Sequence, residues 1–304
     1  MEVKAAYAAC ARLARRHYEN FPVASRLLPE AMRPHVAAIY AFARVADDFA
    51  DEGDRAAADR LARLDGWLER LHACAAHEGG GQWPPEGGEP AEAPLIFQAL
   101  GATVGDCQLP VALLDDLLSA FCQDVTVSRY ATWADLLDYC RRSANPVGRL
   151  VLRIAGYHAA GLDEASDCLC TALQLTNFWQ DLKRDWRRGR LYVPLADVEA
   201  SGARLGDLDG RALTPAWRSA LGCVAARTRS LFREGRAVCD GVGGRLRLEL
   251  RLTWLGGHRI LDRLEKVAFD VFASRPALGL RDAPLLLWQA FRWRSRTVVT
   301  SNER

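Results

Sequence analysis

Apolar residues recur at three- and four-residue spacings along most of the 304-residue chain, and no alternating apolar/polar run is bounded by hairpin turns. The pattern predicts helices over about 3–18, from near Pro34 through His35 and Ala50 to a stop at Gly53, and over 55–76. Further helices are predicted over about 94–104, 110–125, 132–143 and 146–158, then a long one over 163–187, and finally 216–238, 245–273 and 283–297. Phe21-Pro22 to Pro29 reads as a connector. Gly202 to Pro215 reads as a loop, and the Gly/Pro-rich stretch 77–94 as a flexible surface loop inserted between packed helices. No 20–50-residue repeat is present. The expected architecture is all-α, one helical domain over 1–304.

Two acid clusters interrupt this apolar periodicity. Asp47, Asp48 and Asp51 follow Ile39-Tyr40-Ala41-Phe42-Ala43, and Asn177, Asp181 and Asp185 follow Leu173-Gln174-Leu175-Thr176. Asp47 and Asp51 stand four residues apart and share a helix face; Asn177, Asp181 and Asp185 form a second stripe at the same spacing. Carboxylates beside apolar stretches are costly to bury unless positive charge lies between them. Two oxygen-only stripes would together suit hard cations such as Mg²⁺. Aspartates on a helix are ordinarily just a solvated face; the apolar lead-in to both stripes, and the presence of two, argue against that here.

Arg44 lies one turn before Asp48, and Lys183, Arg184, Arg187, Arg188 and Arg190 surround or follow Asp181. Carboxylates that hold metal, with guanidinium forks beside them, suit a diphosphate. Ordinary i,i+4 ion pairing explains Lys183, Arg184 and Arg187 equally well, and Arg190 less well because it lies beyond Gly189. Phe21, Tyr40, Phe42, Tyr139, Phe178 and Trp179 could line an apolar cavity and stabilise a carbocation, although any one of them is more commonly plain core.

Composition removes other classes. Forty basic against 38 acidic residues give a net charge of +2, which argues against a nucleic-acid binder. Nine cysteines form an odd set without a CxxC pair, which points to a reduced, cytoplasmic setting and away from zinc. The six histidines show no HExxH spacing, no Gly-x-Ser-x-Gly elbow occurs, and Phe49 and Ala50 occupy positions an EF-hand would give to oxygen ligands. No signal peptide and no membrane-length apolar run is expected. The stretch Leu285 to Arg296 mixes Trp with Arg and reads either as a helix touching a membrane surface or as a packed terminal helix.

At these residues the chain resembles the squalene/phytoene synthase family of head-to-head isoprenoid synthases, from about His17 to Arg275. Tyr40 to Asp51 matches the family's first Asp-rich motif, and Gln174 to Asp185 with Arg190-Leu191-Tyr192-Val193-Pro194 matches the second. His17, Phe21 and Leu27-Leu28-Pro29 resemble its opening segment, and Tyr139-Cys140, Ala144 and Val147-Gly148 a third conserved stretch. The resemblance implies an isoprenoid synthase fold, helices around a central cavity. It implies Mg²⁺ held by Asp47, Asp48, Asp51, Asn177, Asp181 and Asp185, and a substrate diphosphate met by Arg44, Arg190, Tyr192 and Arg275. Tyr139 and Gln174 would meet the reacting end.

Within the family, His17 to Ser25 and Ser143-Ala144-Asn145-Pro146-Val147-Gly148 look most like the bacterial hydroxysqualene synthases of hopanoid pathways. Those take presqualene diphosphate, expel diphosphate and let water trap the cation, which implies an upstream presqualene diphosphate synthase and a downstream squalene-forming oxidoreductase as functional neighbours. The departures fit. Gln180 stands where condensing enzymes usually carry Arg, and Asn145 where the family usually has Gly; a late Tyr is replaced near Gly256-Gly257. Asn145 could hold a water or could simply start a helix before Pro146. A condensing synthase that joins two prenyl diphosphates is the alternative enzyme. A non-catalytic helical scaffold is the alternative of another class, against which both acid motifs stand intact. Peripheral contact with the inner membrane face stays open.

Overall fold

Val36, Ala37, Ile39, Ala41, Phe42, Val45, Ala46, Phe49 and Ala50 recur at helical spacing, and in the computed structural model all are buried on one helix, Arg33–Asp51. The structure describes residues 2–16, 27–51, 55–77 and 89–294. The expected segment around His17 and Phe21, and most of the loop 77–94, lie outside the described residues. The described residues fall into two compact units: Met1–Val127 with Pro146–His158, and Ser128–Asn145 with Ala159–Arg304.

The first unit contains α1 (Glu2–Arg16), α2 (Arg33–Asp51), α3 (Ala57–Ala76), α4 (Ala93–Cys107), α5 (Ala112–Thr126) and all but the first residue of α7 (Asn145–Ile154), whereas α6 (Trp133–Ser143) belongs to the second. Its core is aromatic. Trp67 of α3 stacks on Phe42 of α2 at 5.8 Å between centroids and lies 4.4 Å from Phe97 of α4, and all three are fully buried. Burying each such side chain contributes roughly 1.5–3 kcal/mol, and each ring pair about 0.5–1.5 kcal/mol more. The indole N–H of Trp67 donates to the Phe42 carbonyl at 3.3 Å, so its polar edge is satisfied inside the core.

The second unit contains α6 (Trp133–Ser143), α8 (Ala160–Arg187), α9 (Leu195–Ala200), α10 (Pro215–Gly235), α11 (Val238–Gly241), α12 (Gly244–Lys266) and α13 (Ala283–Phe291). α6 opens with a capping box: Thr132 Oγ1 accepts from the Asp135 N–H at 3.2 Å, and Asp135 Oδ2 accepts from the Thr132 N–H at 2.9 Å. α10 opens on Thr214 with Pro215 at its first position. The 28-residue α8 is the spine. It packs against α10, where Trp179 Nε1 donates to Thr228 Oγ1 at 2.9 Å and Thr228 passes the chain on to the Val224 carbonyl.

Close approach to α8 is made possible by glycines. A Cβ on Gly235 would lie 2.5 Å from the Leu169 backbone nitrogen, and a Cβ on Gly257 of α12 would lie 2.4 Å from Leu173 and 2.9 Å from Phe232. The glycine pair expected to replace a tyrosine is therefore where α12 presses onto its neighbours, and position 257 admits a side chain only if Leu173 and Phe232 give way.

The elements depart from the sequence reading in several places. The helix expected over 146–158 ends at Ile154, the one expected over 283–297 ends at Phe291, and the short α11 was not expected. The helix expected over 245–273 stops at Lys266, because Ala268 and Phe269 both adopt left-handed backbone (φ 48° and 60°). The six-residue α9 was not expected, and the loop 202–215 contains a 3₁₀ turn, Leu205–Asp209. Among the described residues the only strand-like feature is an isolated bridge between Arg129 and Leu191.

Candidate active site

In the first unit the acid motif occupies the face of α2 opposite its buried stripe. Asp51 is exposed, and Asp47 and Asp48 are half-buried. Arg44, one turn earlier, joins both: its guanidinium reaches Asp47 Oδ2 at 3.2 Å and pairs with Asp48. Tyr40 lies one further turn back, its phenol pushed up from the ordinary value by burial, against the pull of Arg44. The i,i+4 register read from the sequence thus produces one cation gripping two carboxylates.

In the second unit, Asn177 is exposed and Asp181 and Asp185 are half-buried on α8. Gln174, also half-buried, is one turn before Phe178. Arg275 grips Asp181 through two hydrogen bonds, Nε to Oδ1 at 2.5 Å and NH2 to Oδ2 at 3.0 Å. The loop that carries Arg275 is strapped to α8 on either side. Lys183 Nζ donates to the Phe272 carbonyl at 2.8 Å, and the Gln180 amide donates to the Pro276 carbonyl. Gln180, expected from the sequence to stand in for an arginine, acts on the loop backbone. Lys183, Arg184, Arg187, Arg188 and Arg275 line a cleft of about 340 Å³ with Asp181 in its wall. The lining is rich in cations, with Arg275 paired to Asp181 and Lys183 donating to the Phe272 carbonyl.

α8 ends in a Schellman motif. Gly189 has φ +79°, its N–H donates to the Trp186 carbonyl, and the Arg190 N–H returns to the Asp185 carbonyl, both at 2.9 Å. The reversal carries Arg190 back beside Asp185. The following residues are tied to the segment before α6, Leu191 N–H to the Ser128 carbonyl at 2.8 Å and Leu195 N–H to the Tyr130 carbonyl at 2.9 Å. Tyr192 is held so that its ring lies on Phe178 at 3.6 Å, the planes 1° apart. Tyr139 is 6.1 Å from Tyr192 and 6.3 Å from Phe178, and Tyr130 joins at 5.4 Å from Tyr139. All four rings are buried.

Of the aromatics named from the sequence, Tyr139 and Phe178 join this cluster. Phe42 and Trp179 are interior packing residues, and Phe21 lies outside the described residues. Tyr130 was missed. It precedes a helix cap in a segment without periodicity, and only its tie to Leu195 shows its place.

Asn145, at the start of α7, is buried, and its Oδ1 accepts a 2.8 Å hydrogen bond from Thr171 Oγ1 on α8. Thr171 is a second residue the sequence reading did not name. Two residues before Asn145, the buried Ser143 Oγ finds no hydrogen-bond partner among the described residues.

Among the described residues no three His, Cys, Asp or Glu side chains are gathered as a metal cluster. The donor chemistry nonetheless fits a hard cation. Both stripes offer only oxygen, and burial, then the neighbouring Asp181, push the Asp185 carboxyl up to about 7 against the opposing arginines. Burial and the like charge of Asp181 thus outweigh the arginines Arg190, Arg184 and Arg188 around it. The nine cysteines are free thiols, and burial pushes Cys10, Cys74 and Cys239 up to about 12, so they behave as core residues.

The sequence model of the squalene/phytoene synthase family matches residues 14–282, through both acid motifs. The chain belongs to the squalene/phytoene synthase family. It is 40% identical over 216 residues to a hydroxysqualene synthase of Zymomonas mobilis, covering 71% of this chain and 68% of that one. It is 36% identical over 250 residues to a hydroxysqualene synthase of Rhodopseudomonas palustris, covering 81% and 80%. Among solved structures, the squalene synthase HpnC from Alicyclobacillus acidocaldarius superposes with a TM-score of 0.79 at 39% identity, covering 88% of this chain and 96% of that one. A dehydrosqualene synthase superposes at 0.81 with 21% identity, covering 96% and 97%, and shares the fold. The expected all-α isoprenoid synthase fold, and the likeness to hydroxysqualene synthases, are borne out. Among the described residues no helix is long and apolar enough to cross a membrane.

Proposed function

We propose that this chain converts presqualene diphosphate and water into hydroxysqualene and diphosphate. The observation that carries the reading is Asn145, a buried amide whose oxygen is engaged by Thr171, with the unsatisfied hydroxyl of Ser143 two residues away. With its acceptor end fixed, the Asn145 amide turns its N–H donors elsewhere, and a water has polar partners to occupy. An apolar wall, or the glycine usual in the family, supplies none. The hydroxysqualene synthases among its relatives support the same reading.

In this reading Asp47, Asp48, Asp51, Asn177, Asp181 and Asp185 hold Mg²⁺, which when bound supplies positive charge to the departing diphosphate. Arg44 and Arg275 already neutralise carboxylates of the two motifs, and with Arg190 and Tyr192 they bind and orient the diphosphate oxygens. The carbon–oxygen bond to diphosphate breaks, and the cyclopropylcarbinyl cation rearranges. The oxygen of the positioned water then bonds to carbon, and its proton leaves with diphosphate. Tyr139, with the ring faces of Phe178, Tyr192 and Tyr130, and Gln174 serve the reacting end, where exclusion of other water prevents capture of the wrong cation. Gln180 in place of an arginine suits a substrate that brings one diphosphate. The chain acts as one synthase domain, since the family match runs through both units.

Presqualene diphosphate and farnesyl diphosphate, offered separately with Mg²⁺ and followed by product mass, test the proposal. Hydroxysqualene from the first and no consumption of the second is the expected result. Consumption of farnesyl diphosphate alone would replace the reading with a condensing synthase.

A further inference from the structure

The last helix among the described residues, α13, carries two apolar stripes, and the fold uses one. On α13, Leu286 and Ala290 are buried, and Trp293 just beyond it is pinned inward. Its N–H donates to Asp240 at 2.9 Å, and Arg236 lies 4.1 Å over its ring. Pro284, Leu287, Trp288 and Phe291 repeat at i, i+3, i+4 and i+7, so they form a second stripe on the other side of the helix. That side is open: Leu287 is 39% exposed, Trp288 54%, Phe291 75%, and Leu280 in the preceding turn 94%.

Along the segment that carries the open stripe, the exposed charges have one sign. Between Pro276 and Arg294 the exposed ionised residues are Arg281, Arg292 and Arg294. The single acid of that stretch, Asp282, is buried and turned inward, bonded to Arg259 at 2.8 Å, Arg263 at 2.5 Å and the Gly279 N–H at 2.9 Å. The Arg292 guanidinium lies 5.2 Å over the Trp288 ring, its stem along the apolar face and its charge at the rim.

We propose that this face docks onto the surface of an anionic phospholipid bilayer, with Leu280, Trp288 and Phe291 entering the headgroup–acyl boundary and the three arginines meeting lipid phosphates. Indole, phenyl and leucyl groups beside arginines, without a carboxylate, are the chemistry of an interfacial helix. The nine-residue helix is too short to span. A second copy of this chain fits less well, because a two-fold pairing would set six arginines together with no acid between them. The inference is independent of the reaction proposed above.

The test is sedimentation of the full chain with vesicles of phosphatidylcholine, alone or with phosphatidylglycerol added. Wild-type protein is expected to sediment with the anionic vesicles and to be released by salt. The double variant Trp288→Ser/Phe291→Ser is expected to bind about tenfold more weakly or worse, and Arg281→Gln/Arg292→Gln to lose about fivefold per charge removed. Turnover of both variants in detergent should match wild type. Failure of the wild type to bind anionic vesicles, or undiminished binding by the apolar variant, overturns the proposal. So does a concentration-dependent dimer that Phe291→Ser dissociates in the absence of vesicle binding, which would assign the face to a second copy.

Discussion

Arg275 holds Asp181 with both arms of its guanidinium, and its loop is tied to α8 by Lys183 and Gln180. A residue expected to meet diphosphate thus neutralises a residue expected to meet metal. The same holds in the other motif for Arg44 with Asp47 and Asp48. In the proposed function, cation binding to the carboxylates would free these arginines for the substrate's oxygens and would couple the two binding events.

Asp48→Asn and Asp181→Asn should each lower turnover by about 100-fold or more while the far-UV circular dichroism stays helical. The metal itself is checked without turnover. Mg²⁺ at about 100 times its dissociation constant should raise wild-type stability by about 2.7 kcal/mol, read as a higher Tm, and should do so less in either variant. Equal Tm shifts in all three proteins would remove these aspartates from the metal site.

Thr171→Val keeps the shape of the side chain but leaves Asn145 Oδ1 buried without its donor, at a cost of roughly 1–3 kcal/mol. The alcohol fraction of the product should fall relative to hydrocarbon or rearranged by-products, and Thr171→Ser should restore it. Asn145→Ala should shift products the same way. A Tm loss in Thr171→Val with an unaltered product profile would leave Asn145 with a structural role alone.

Gly257→Ala forces a methyl against Leu173 and Phe232. Overpacking of this kind costs about 1–3 kcal/mol, or roughly 2–4 °C of Tm per kcal/mol in a chain of this size. Leu173→Ala in the same chain should recover part of the loss. Calorimetry of the single and double variants checks it.

Asp282 has its carboxyl held down to about 2 by the Gly279 N–H and then by Arg259 and Arg263. Its folded value lies below the unfolded one, so its contribution is present above about pH 4 and is lost as the pH falls through about 2. Wild-type stability should therefore decline over that window. Asp282→Asn should show a flatter acid limb, with lower stability at neutral pH.

The acid stripes, Arg44 and the positions of α2 and α8 were legible because helical spacing is a local property: the buried face of α2 and its polar face are both set by 3.6 residues per turn. The Arg-Gly-Arg end of α8 was legible as a stop, since glycine is the residue for a left-handed cap. What could not be read depends on distant partners. Ala268 and Phe269 carry no signal for positive φ, and the end of α12 at Lys266 follows from them. Thr171 looks like any core-facing helix residue until Asn145 is seen opposite its hydroxyl. A six-residue helix such as α9 is too short to show periodicity, and Tyr130 is placed by backbone bonds to a segment 65 residues away at Leu195.

The turn at Gly189 does two jobs in five residues. It closes α8 on the Asp185 carbonyl, and it sets the phase at which Tyr192 arrives over Phe178. Exposed turns usually accept added or lost residues, but one inserted here would rotate the phenol off its partner and carry the Arg190 side chain away from Asp185. This stretch of surface should therefore keep constant length among working variants, while the residue types at its outward positions drift.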